Sequence, residues 1–292
     1  MSTDIDLFGP VPTGPKPHKK PADPVKISGR LWTGQKSRLI AEYLHRFLHV
    51  TKSGTYLDLF AGPQSESYDE GWSIKRVIER RDEGPNLGYF AACDNNTQQI
   101  KRLEQLRDTC ADRPFTFKIY HGDANEQVKK ILHEAPTNLP SFCLLDQRTF
   151  ECDWATVKRV AEHKGNDDFK IEIFYFLAEA WLDRAWKSRK QRETLRRWWG
   201  RDDMLEFFSL KNVFRAHSLK QRFIDEFAYK YVQPWSIHKH GDHGRTMYYM
   251  IHASDHHRAT RLMSEAYNEV NRATVGGICQ HALFFDNMDS DG

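Results

Sequence analysis

Apolar residues along this chain follow two spacings, one typical of amphipathic helices and one typical of buried strands. Between Lys36 and Val50 they recur on one helical face, at Leu39, Ile40, Tyr43, Leu44, Phe47 and Leu48. Elsewhere they form short continuous runs bounded by turn residues, as at 55–60, and such runs predict strands that are covered on both sides. The two patterns alternate through the first 177 residues.

This alternation predicts a mostly parallel sheet. The predicted strands are 55–60, 89–94, 115–121, 141–146 and 170–177, and the predicted helices between them are 72–81, 96–110, 126–133 and 154–163. Strands that alternate with helices build βαβ units with right-handed crossovers, which places neighbouring strands parallel in one sheet.

The pattern changes after Leu177. Residues 179–231 are predicted to be helical, and they are rich in charged and aromatic side chains. A strand pair follows at 235–239 and 246–253, where a glycine-containing connection favours an antiparallel hairpin. Asp255 can cap a closing helix that runs to Val270. The predicted fold is therefore α/β and Rossmann-like, a mostly parallel sheet ending in an antiparallel hairpin, with a helical insertion.

Composition indicates a folded protein without a membrane span and suggests its cellular compartment. The chain has 292 residues, 39% of them hydrophobic, which is enough for a large core, although a mean hydropathy of −0.71 indicates a very polar surface. No apolar run approaches the length of a membrane span. Five cysteines without CxxC spacing favour a reducing compartment, so we expect a cytoplasmic protein.

Five segments are predicted. Residues 1–30 hold six of the twelve prolines together with several lysines, and they predict an extended arm. Residues 31–178 form the α/β core, 179–232 a basic aromatic helical insertion, 233–275 the hairpin and helix that complete the core, and 276–292 a tail.

Four predicted strands end on or beside a carboxylate, at Asp58, Asp94, Asp123 and Asp146. The carboxyl ends of parallel strands line one edge of a sheet, and ligands bind in the crevice there. Four acids at that edge suit a ligand with many donors, such as ribose hydroxyls, an amino group and an exocyclic amine. The simpler alternative is that each acid only caps a helix or closes a turn. This alternative explains any single acid well, but it explains less well why four successive strands each end with one.

A parallel sheet that ends in an antiparallel hairpin is the layout of class I methyltransferases, which use S-adenosylmethionine. In that interpretation Asp58 holds the amino acid portion, Asp94 the ribose and Asp123 the adenine amine, while Gly62 allows close approach of the backbone. The predicted cofactor-binding residues are Asp58, Phe60, Ala61, Gly62, Asp94, Asn95, Asp123 and Ala124. A nicotinamide site is a minor alternative, because the turn after the first strand lacks the required glycines.

Several segments resemble the three-Cys-motif partner family. They are the helix with Lys36, the run 56–63 (YLDLFAGP), the run 122–125 (GDAN), the run 144–154 (LLDQRTFECDW) and the strand 248–254 (YYMIHAS). The resemblance covers roughly residues 30–272. It implies a methyltransferase-like fold and a partner encoded nearby, a three-cysteine protein akin to radical S-adenosylmethionine enzymes, and it assigns no reaction. Many members have a second glycine where this chain has Gln64.

Asp146 begins the segment where enzymes that methylate amines on nucleic acids carry an acid or amide, two prolines and an aromatic residue. We predict that Asp146 polarises an acceptor amine and that Phe150 stacks on a base. Gln147 and Arg148 stand in place of the two prolines. The alternative is a structural or cofactor-contacting turn.

Cationic residues are concentrated between Trp181 and Arg201, with four tryptophans among them. Cations neutralise phosphates and aromatic rings stack on unpaired bases, so a nucleic-acid surface is predicted here. Its residues are Lys187, Arg189, Lys190, Arg196 and Arg197. The alternatives are amphipathic helices with buried tryptophans and solvated arginines, or a docking surface for the partner protein.

Histidines 238, 240, 243, 256 and 257 fit no closed metal site, so no metal is predicted. Two functions remain open from the sequence. The first is an S-adenosylmethionine-binding, methyltransferase-like protein that acts on or with nucleic acid. The second is a non-catalytic partner protein with a vestigial cofactor crevice and an insertion that binds DNA or a protein. Gln64 and the missing prolines favour the second, and the four acids favour the first.

Overall fold

The computed structural model describes residues 30–63, 69–80, 87–164, 170–211, 213–242 and 246–275. The predictions for the arm, for Gln64 and for the 276–292 tail lie outside these ranges. One sheet of seven strands forms the centre, in the spatial order β3-β2-β1-β4-β5-β7-β6. The strands are β1 (Gly54–Asp58), β2 (Leu87–Asp94), β3 (Thr116–His121), β4 (Ser141–Leu145), β5 (Glu172–Leu177), β6 (Tyr231–Asp242) and β7 (Thr246–Ser254).

Strands β1 to β5 are parallel, and β7 is antiparallel to both β5 and β6. This confirms the predicted fold class, a mostly parallel sheet ending in an antiparallel hairpin. Strand β6 begins at Tyr231, four residues before the predicted start, and includes Pro234. Proline cannot donate to a ladder, but β6 is an edge strand, where this loss is tolerated.

Ten α-helices cover the sheet within the described ranges. They are α1 (Arg30–Thr51), α2 (Ser73–Arg80), α3 (Thr97–Asp108), α4 (Ala124–Glu134), α5 (Trp154–Glu162), α6 (Glu179–Lys187), α7 (Arg192–Trp199), α8 (Met204–Ser209), α9 (Val213–Phe227) and α10 (Ala259–Val275). None of them is long and apolar enough to cross a membrane. Helix α1 packs against α10 and α2, and its fully buried Tyr43 contacts the rings of Phe142 and Phe174 on β4 and β5.

Helices α6 to α9 connect β5 to β6, and they are fixed to the core by Arg222 of α9. The guanidinium lies 3.8 Å from the ring centre of Trp154 on α5 and 4.2 Å from that of Trp199 on α7. It donates to the Trp199 carbonyl at 2.6 Å and to Glu226 at 2.6 and 3.2 Å. Glu226 in turn accepts from the Trp154 indole. One buried cation therefore links three helices.

Candidate functional site

The carboxyl ends of β1, β2, β3 and β4 bring the four predicted acids to one edge of the sheet. Burial raises the pKa of the Cys93 thiol to about 12, and the nearby charges of Asp94, Asp58 and Asp123 add to the increase. The charge of Asp146 in turn acts on Asp58. The strand register agrees with this, since Asp58 lies beside Ala92 and Leu144 and Asp94 lies beside His121, so the four acids lie at or just beyond the carboxyl ends of adjacent strands.

Asp58, the last residue of β1, is a buried carboxylate with only 2% of its surface exposed. It accepts hydrogen bonds from the Tyr56 hydroxyl at 3.0 Å and from the Phe60 N–H at 3.2 Å. Burial, together with the charges of Asp146 and Asp94, raises its pKa to about 7, although the two hydrogen bonds act to lower it. Among the described residues no cation pairs with it. Asp58 is thus an ionisable acid held where negative charge is poorly compensated.

Asp94 ties the turn after β1 to the end of β2. Its Oδ2 accepts from the Gly62 N–H at 3.0 Å and its Oδ1 from the Asn96 N–H at 2.8 Å. The Ala61 N–H also donates to the Cys93 carbonyl at 2.8 Å. A Cβ at Gly62 would clash with the Asp94 carboxylate and approach the Gln99 Cβ to 2.6 Å. Glycine is therefore required here by the close approach of Asp94 and Gln99.

Asp123 lies at the exposed rim of the same edge. It is the N-cap of α4 and accepts from the Asn125 N–H at 2.7 Å. Of the other predicted contact residues, Ala124 is buried in the first turn of α4, Phe60 is half-buried in the turn after β1, and Asn95 is exposed beside Asp94. The capping interpretation therefore holds for Asp123, and it leaves the second carboxylate oxygen open to other donors.

Asp146, one residue beyond β4, forms a buried ion pair with Lys36 of α1. The Lys36 Nζ is 2.5 Å from Asp146 Oδ1, and Lys36 is only 1% exposed. Two aromatic rings face the same ammonium, with Nζ 4.7 Å from the ring centre of Phe176 and 4.4 Å from that of Tyr248. From the sequence alone, Lys36 was named only within a family resemblance. Its pairing with Asp146 joins residues 110 positions apart, and no local sequence pattern predicts such a pair.

The segment after Asp146 is held rigid by polar side chains. Gln147 is fully buried; its Nε2 donates to the Phe176 carbonyl at 3.2 Å, and its Oε1 accepts from the Cys152 N–H at 3.0 Å. Asn125 of α4 contacts the same segment, donating to the Glu151 carbonyl at 2.8 Å and accepting from the Asp153 N–H at 2.9 Å. These amides fix the loop that two prolines would otherwise stiffen. Sequence reasoning assigned no role to Gln147 or Asn125.

Phe150 does not take the predicted position over an acceptor pocket. It is 1% exposed, and its ring meets Trp198 of α7 edge to face, with centroids 5.1 Å apart. The inserted helices cover the ring completely, so in this structure it packs the insertion onto the loop and has no face open to a base. The rings beside Asp146 are instead those of Phe176 and Tyr248.

Between Trp181 and Arg201 the tryptophans and the predicted nucleic-acid cations differ in burial. Trp198 and Trp199 are buried, while Trp181 and Trp186 are half-buried against Tyr248 and Phe208. The Trp198 and Trp199 rings therefore lie on the inner face of the insertion and have no face open to a base, whereas Trp181 and Trp186 are only partly covered. Nucleic-acid binding by this segment stays a prediction. The cations predicted to contact nucleic acid are all exposed, at Lys187, Arg189, Lys190, Arg196 and Arg197. They form the outer face, as an amphipathic arrangement requires.

Comparisons with known proteins extend to the fold alone. The sequence matches no family profile and no curated protein. The structure is similar to protein LPL1258 of Legionella pneumophila, with a TM-score of 0.47, 9% identity, and coverage of 86% of this chain and 95% of that chain. It is also similar to a candidate class I S-adenosylmethionine-dependent methyltransferase of Listeria monocytogenes (TM-score 0.41, 10% identity, 80% and 64% coverage). M. jannaschii TYW2, solved in complex with AdoMet, has a TM-score of 0.41, 10% identity, and 77% and 75% coverage.

Proposed function

We propose that this protein binds S-adenosylmethionine at the carboxyl edge of its sheet and transfers the methyl group to an amine held at Asp146. The observation that carries this proposal is that Asp58, Asp94, Asp123 and Asp146 lie at or just beyond the carboxyl ends of four neighbouring parallel strands. Asp58 and Asp146 are buried and cap no helix within the described residues, so helix capping does not account for the whole set.

Asp58 fits the ammonium of the cofactor's amino acid portion. Its carboxylate is buried, its pKa is raised to about 7, and no cation pairs with it among the described residues. A buried charge without a counter-ion is unfavourable, and a bound ammonium would relieve that penalty. The donor set at Asp58, a hydroxyl and an N–H, leaves acceptor capacity on both oxygens.

Asp94 and Asp123 fit the nucleoside. Each Asp94 oxygen accepts one backbone N–H and retains a lone pair, which suits the two vicinal hydroxyls of a ribose. Asp123 at the rim is suited to accept the adenine amine. The turn at Ala61 and Gly62 is fixed in position by hydrogen bonds at both residues, including one from the Trp72 indole to the Ala61 carbonyl at 2.7 Å. A preformed turn of this kind reduces the entropy lost on binding.

When bound, S-adenosylmethionine supplies an electrophilic methyl group on a sulfonium sulfur. The chain's contribution is to orient the acceptor amine and to take its proton, and Asp146 is the group suited to both tasks. Gln147 makes two hydrogen bonds, to Phe176 and Cys152, and these hold the Asp146 loop in place. Phe176 and Tyr248 exclude water beside the carboxylate, since both are buried.

The exposed cations of α6, α7 and the 3₁₀ turn between them support nucleic acid as the molecule that carries the acceptor. Lys187, Arg189 and Lys190 are fully on the outer face, and none of them has a salt bridge within the described residues. Unpaired surface cations neutralise phosphates at little cost in broken contacts. Trp198 and Trp199 are buried and have no part in base stacking here.

Titration calorimetry with S-adenosylhomocysteine tests the cofactor site. Asp94→Ala should weaken binding by roughly 10- to 150-fold, the value of one charge-assisted hydrogen bond of about 1.5–3 kcal/mol. Asp202→Ala removes an exposed acid on the insertion and serves as the matched control, with unchanged binding expected. Absence of heat with the wild-type chain, or equal affinity in Asp94→Ala, would contradict the proposal.

A further inference from the structure

An amine of the protein itself, the Lys36 ammonium, occupies the proposed acceptor position at Asp146. Lys36 Nζ lies 2.5 Å from Asp146 Oδ1, and the rings of Phe176 and Tyr248 are 4.7 and 4.4 Å from it. We call these three groups, Asp146, Phe176 and Tyr248, the amine box. A carboxylate with two aromatic faces is the arrangement by which proteins recognise ammonium and methylammonium groups.

The position of Lys36 in the amine box is not incidental to the fold. Burying a lysine is unfavourable unless the ammonium is paired, so its place is set by the groups that surround it. Burial raises the pKa of the Tyr248 hydroxyl, and the charge of Asp146 adds to the increase, so ring and carboxylate share one dry environment. Asp58 pairs in the sheet with Leu144, two residues before Asp146, so the amine box lies beside the proposed cofactor crevice.

We propose that Lys36 is a methylation site of its own chain, modified at the amine box when no other acceptor has entered. The inference rests on the proposed function, which supplies the S-adenosylmethionine. It commits to an aliphatic primary amine as a substrate class for this site, and to Lys36 as the resident example. Any external acceptor must displace the Lys36 ammonium from Asp146.

The reaction balances with the groups present. The Lys36 ammonium gives one proton to the Asp146 carboxylate, and its nitrogen lone pair then forms a bond to the methyl carbon. The carbon–sulfur bond of the sulfonium breaks, and its electron pair stays on sulfur to give the thioether. The product is a secondary ammonium that carries the same charge as the lysine did, and Asp146 releases its proton to solvent.

The amine box accommodates the methylated lysine at least as well as the unmodified lysine. The methylated lysine keeps its positive charge beside the Asp146 carboxylate, and its nitrogen stays next to the rings of Phe176 and Tyr248, which lie 4.7 and 4.4 Å from Lys36 Nζ. A methylammonium is less strongly hydrated than an ammonium, so desolvation opposes its burial less. Cation–π contacts are strongest in such desolvated sites.

Lys170 provides a matched control within the same molecule. It too is paired with a carboxylate, Asp255 at 3.1 Å, and lies over an aromatic ring, Tyr229 at 5.3 Å. Its side chain is 12% exposed, more accessible than that of Lys36. However, Lys170 precedes β5, so it lies at the opposite edge of the sheet from Asp146. Indiscriminate methylation would reach Lys170 first.

The test is to incubate the purified full chain with S-adenosylmethionine that carries a deuterated methyl group, and to map labelled peptides by mass spectrometry. We expect label at Lys36, none at Lys170, and none in Lys36→Arg. S-adenosylhomocysteine binding is measured on the same preparation by calorimetry. Binding without label at Lys36, or equal label at Lys170, overturns this inference alone, whereas absence of binding overturns the proposed function as well.

A second measurement examines the amine box without any transfer. Lys36→Ala removes the ammonium and opens a space shaped for propylammonium. At about ten times its dissociation constant, propylammonium should raise the melting temperature of this variant by roughly 2–4 °C, and N-methylpropylammonium by at least as much. The neutral isostere 1-propanol should have no effect, and the wild-type chain should not respond. Equal stabilisation by 1-propanol would identify a packing cavity rather than an ammonium site.

Discussion

The backbone N–H of Gly62 donates to the carboxylate of Asp94 across 3.0 Å. This bond joins the turn after β1 to the end of β2, so the two segments proposed to face the cofactor are positioned by each other. Asp94 thereby combines a structural and a proposed ligand-binding role, and the two roles can be separated by changing one partner at a time.

Gly62→Ala is expected to weaken S-adenosylhomocysteine binding at least tenfold, because the added Cβ displaces the Asp94 carboxylate and the Gln99 side chain. Calorimetry measures the change. Combined with Asp94→Ala, the loss should be less than the sum of the two single losses, as expected for residues in direct contact. Gly88→Ala on β2 is the control, since nothing lies within 4 Å of its added Cβ. Full additivity of Gly62→Ala and Asp94→Ala would contradict this account.

Asp58→Asn should flatten the dependence of stability on pH. Burial raises the pKa of Asp58 to about 7 in the folded chain, from 3.8 for an aspartate in the unfolded chain. Between these pH values the folded protein holds a proton that the unfolded chain has lost, so raising the pH lowers the free energy of unfolding. Over the whole range from below pH 3.8 to above pH 7, the free energy of unfolding falls by about 4 kcal/mol. Urea unfolding at pH 5 and pH 7.5 should detect about 2.5 kcal/mol of this difference, and parallel profiles for wild type and variant would exclude the raised pKa.

Arg222→Lys should destabilise the protein by roughly 2–3 kcal/mol. Lysine keeps the charge but cannot stack between Trp154 and Trp199 or bond Glu226 with two nitrogens. Thermal unfolding measures the effect. Arg197→Lys is the control: its bond to Asp153 is exposed, and exposed ion pairs contribute little. Equal melting temperatures for the two variants would show that Arg222 does not fix the insertion to the core.

Nucleic-acid binding, if it uses the outer face of the insertion, should fall when its cations are removed. Replacing Lys187, Arg189 and Lys190 with alanine should weaken binding of a labelled oligonucleotide and reduce the salt slope by about 3. Fluorescence anisotropy at several salt concentrations measures both. Replacing Lys101, Arg107 and Lys129 on α3 and α4 makes the same change of charge on another surface. An equal loss in that control would show non-specific attraction and would refute the assignment of the surface.

The fold and the grouping of acids follow from short-range patterns. Continuous apolar runs identified β1 to β5, and parallel strand order alone then placed Asp58, Asp94 and Asp146 at one edge. The Lys36–Asp146 pair could not be predicted in this way, since it depends on how α1 crosses the sheet. The predicted exposure of the Phe150 ring failed for the same reason. Its burial depends on packing against α7, and the local sequence around Phe150 does not predict that contact.

The position of β7 between β5 and β6 has a consequence for synthesis. One side of β5 stays unpaired until residues 178–245 have been translated, which takes roughly 3–14 s at 5–20 residues per second. During that interval the emerging polypeptide presents an open, apolar strand edge to its surroundings. We expect ribosome-bound chains that stop short of residue 246 to recruit chaperones, and those that extend beyond Ser254 to release them.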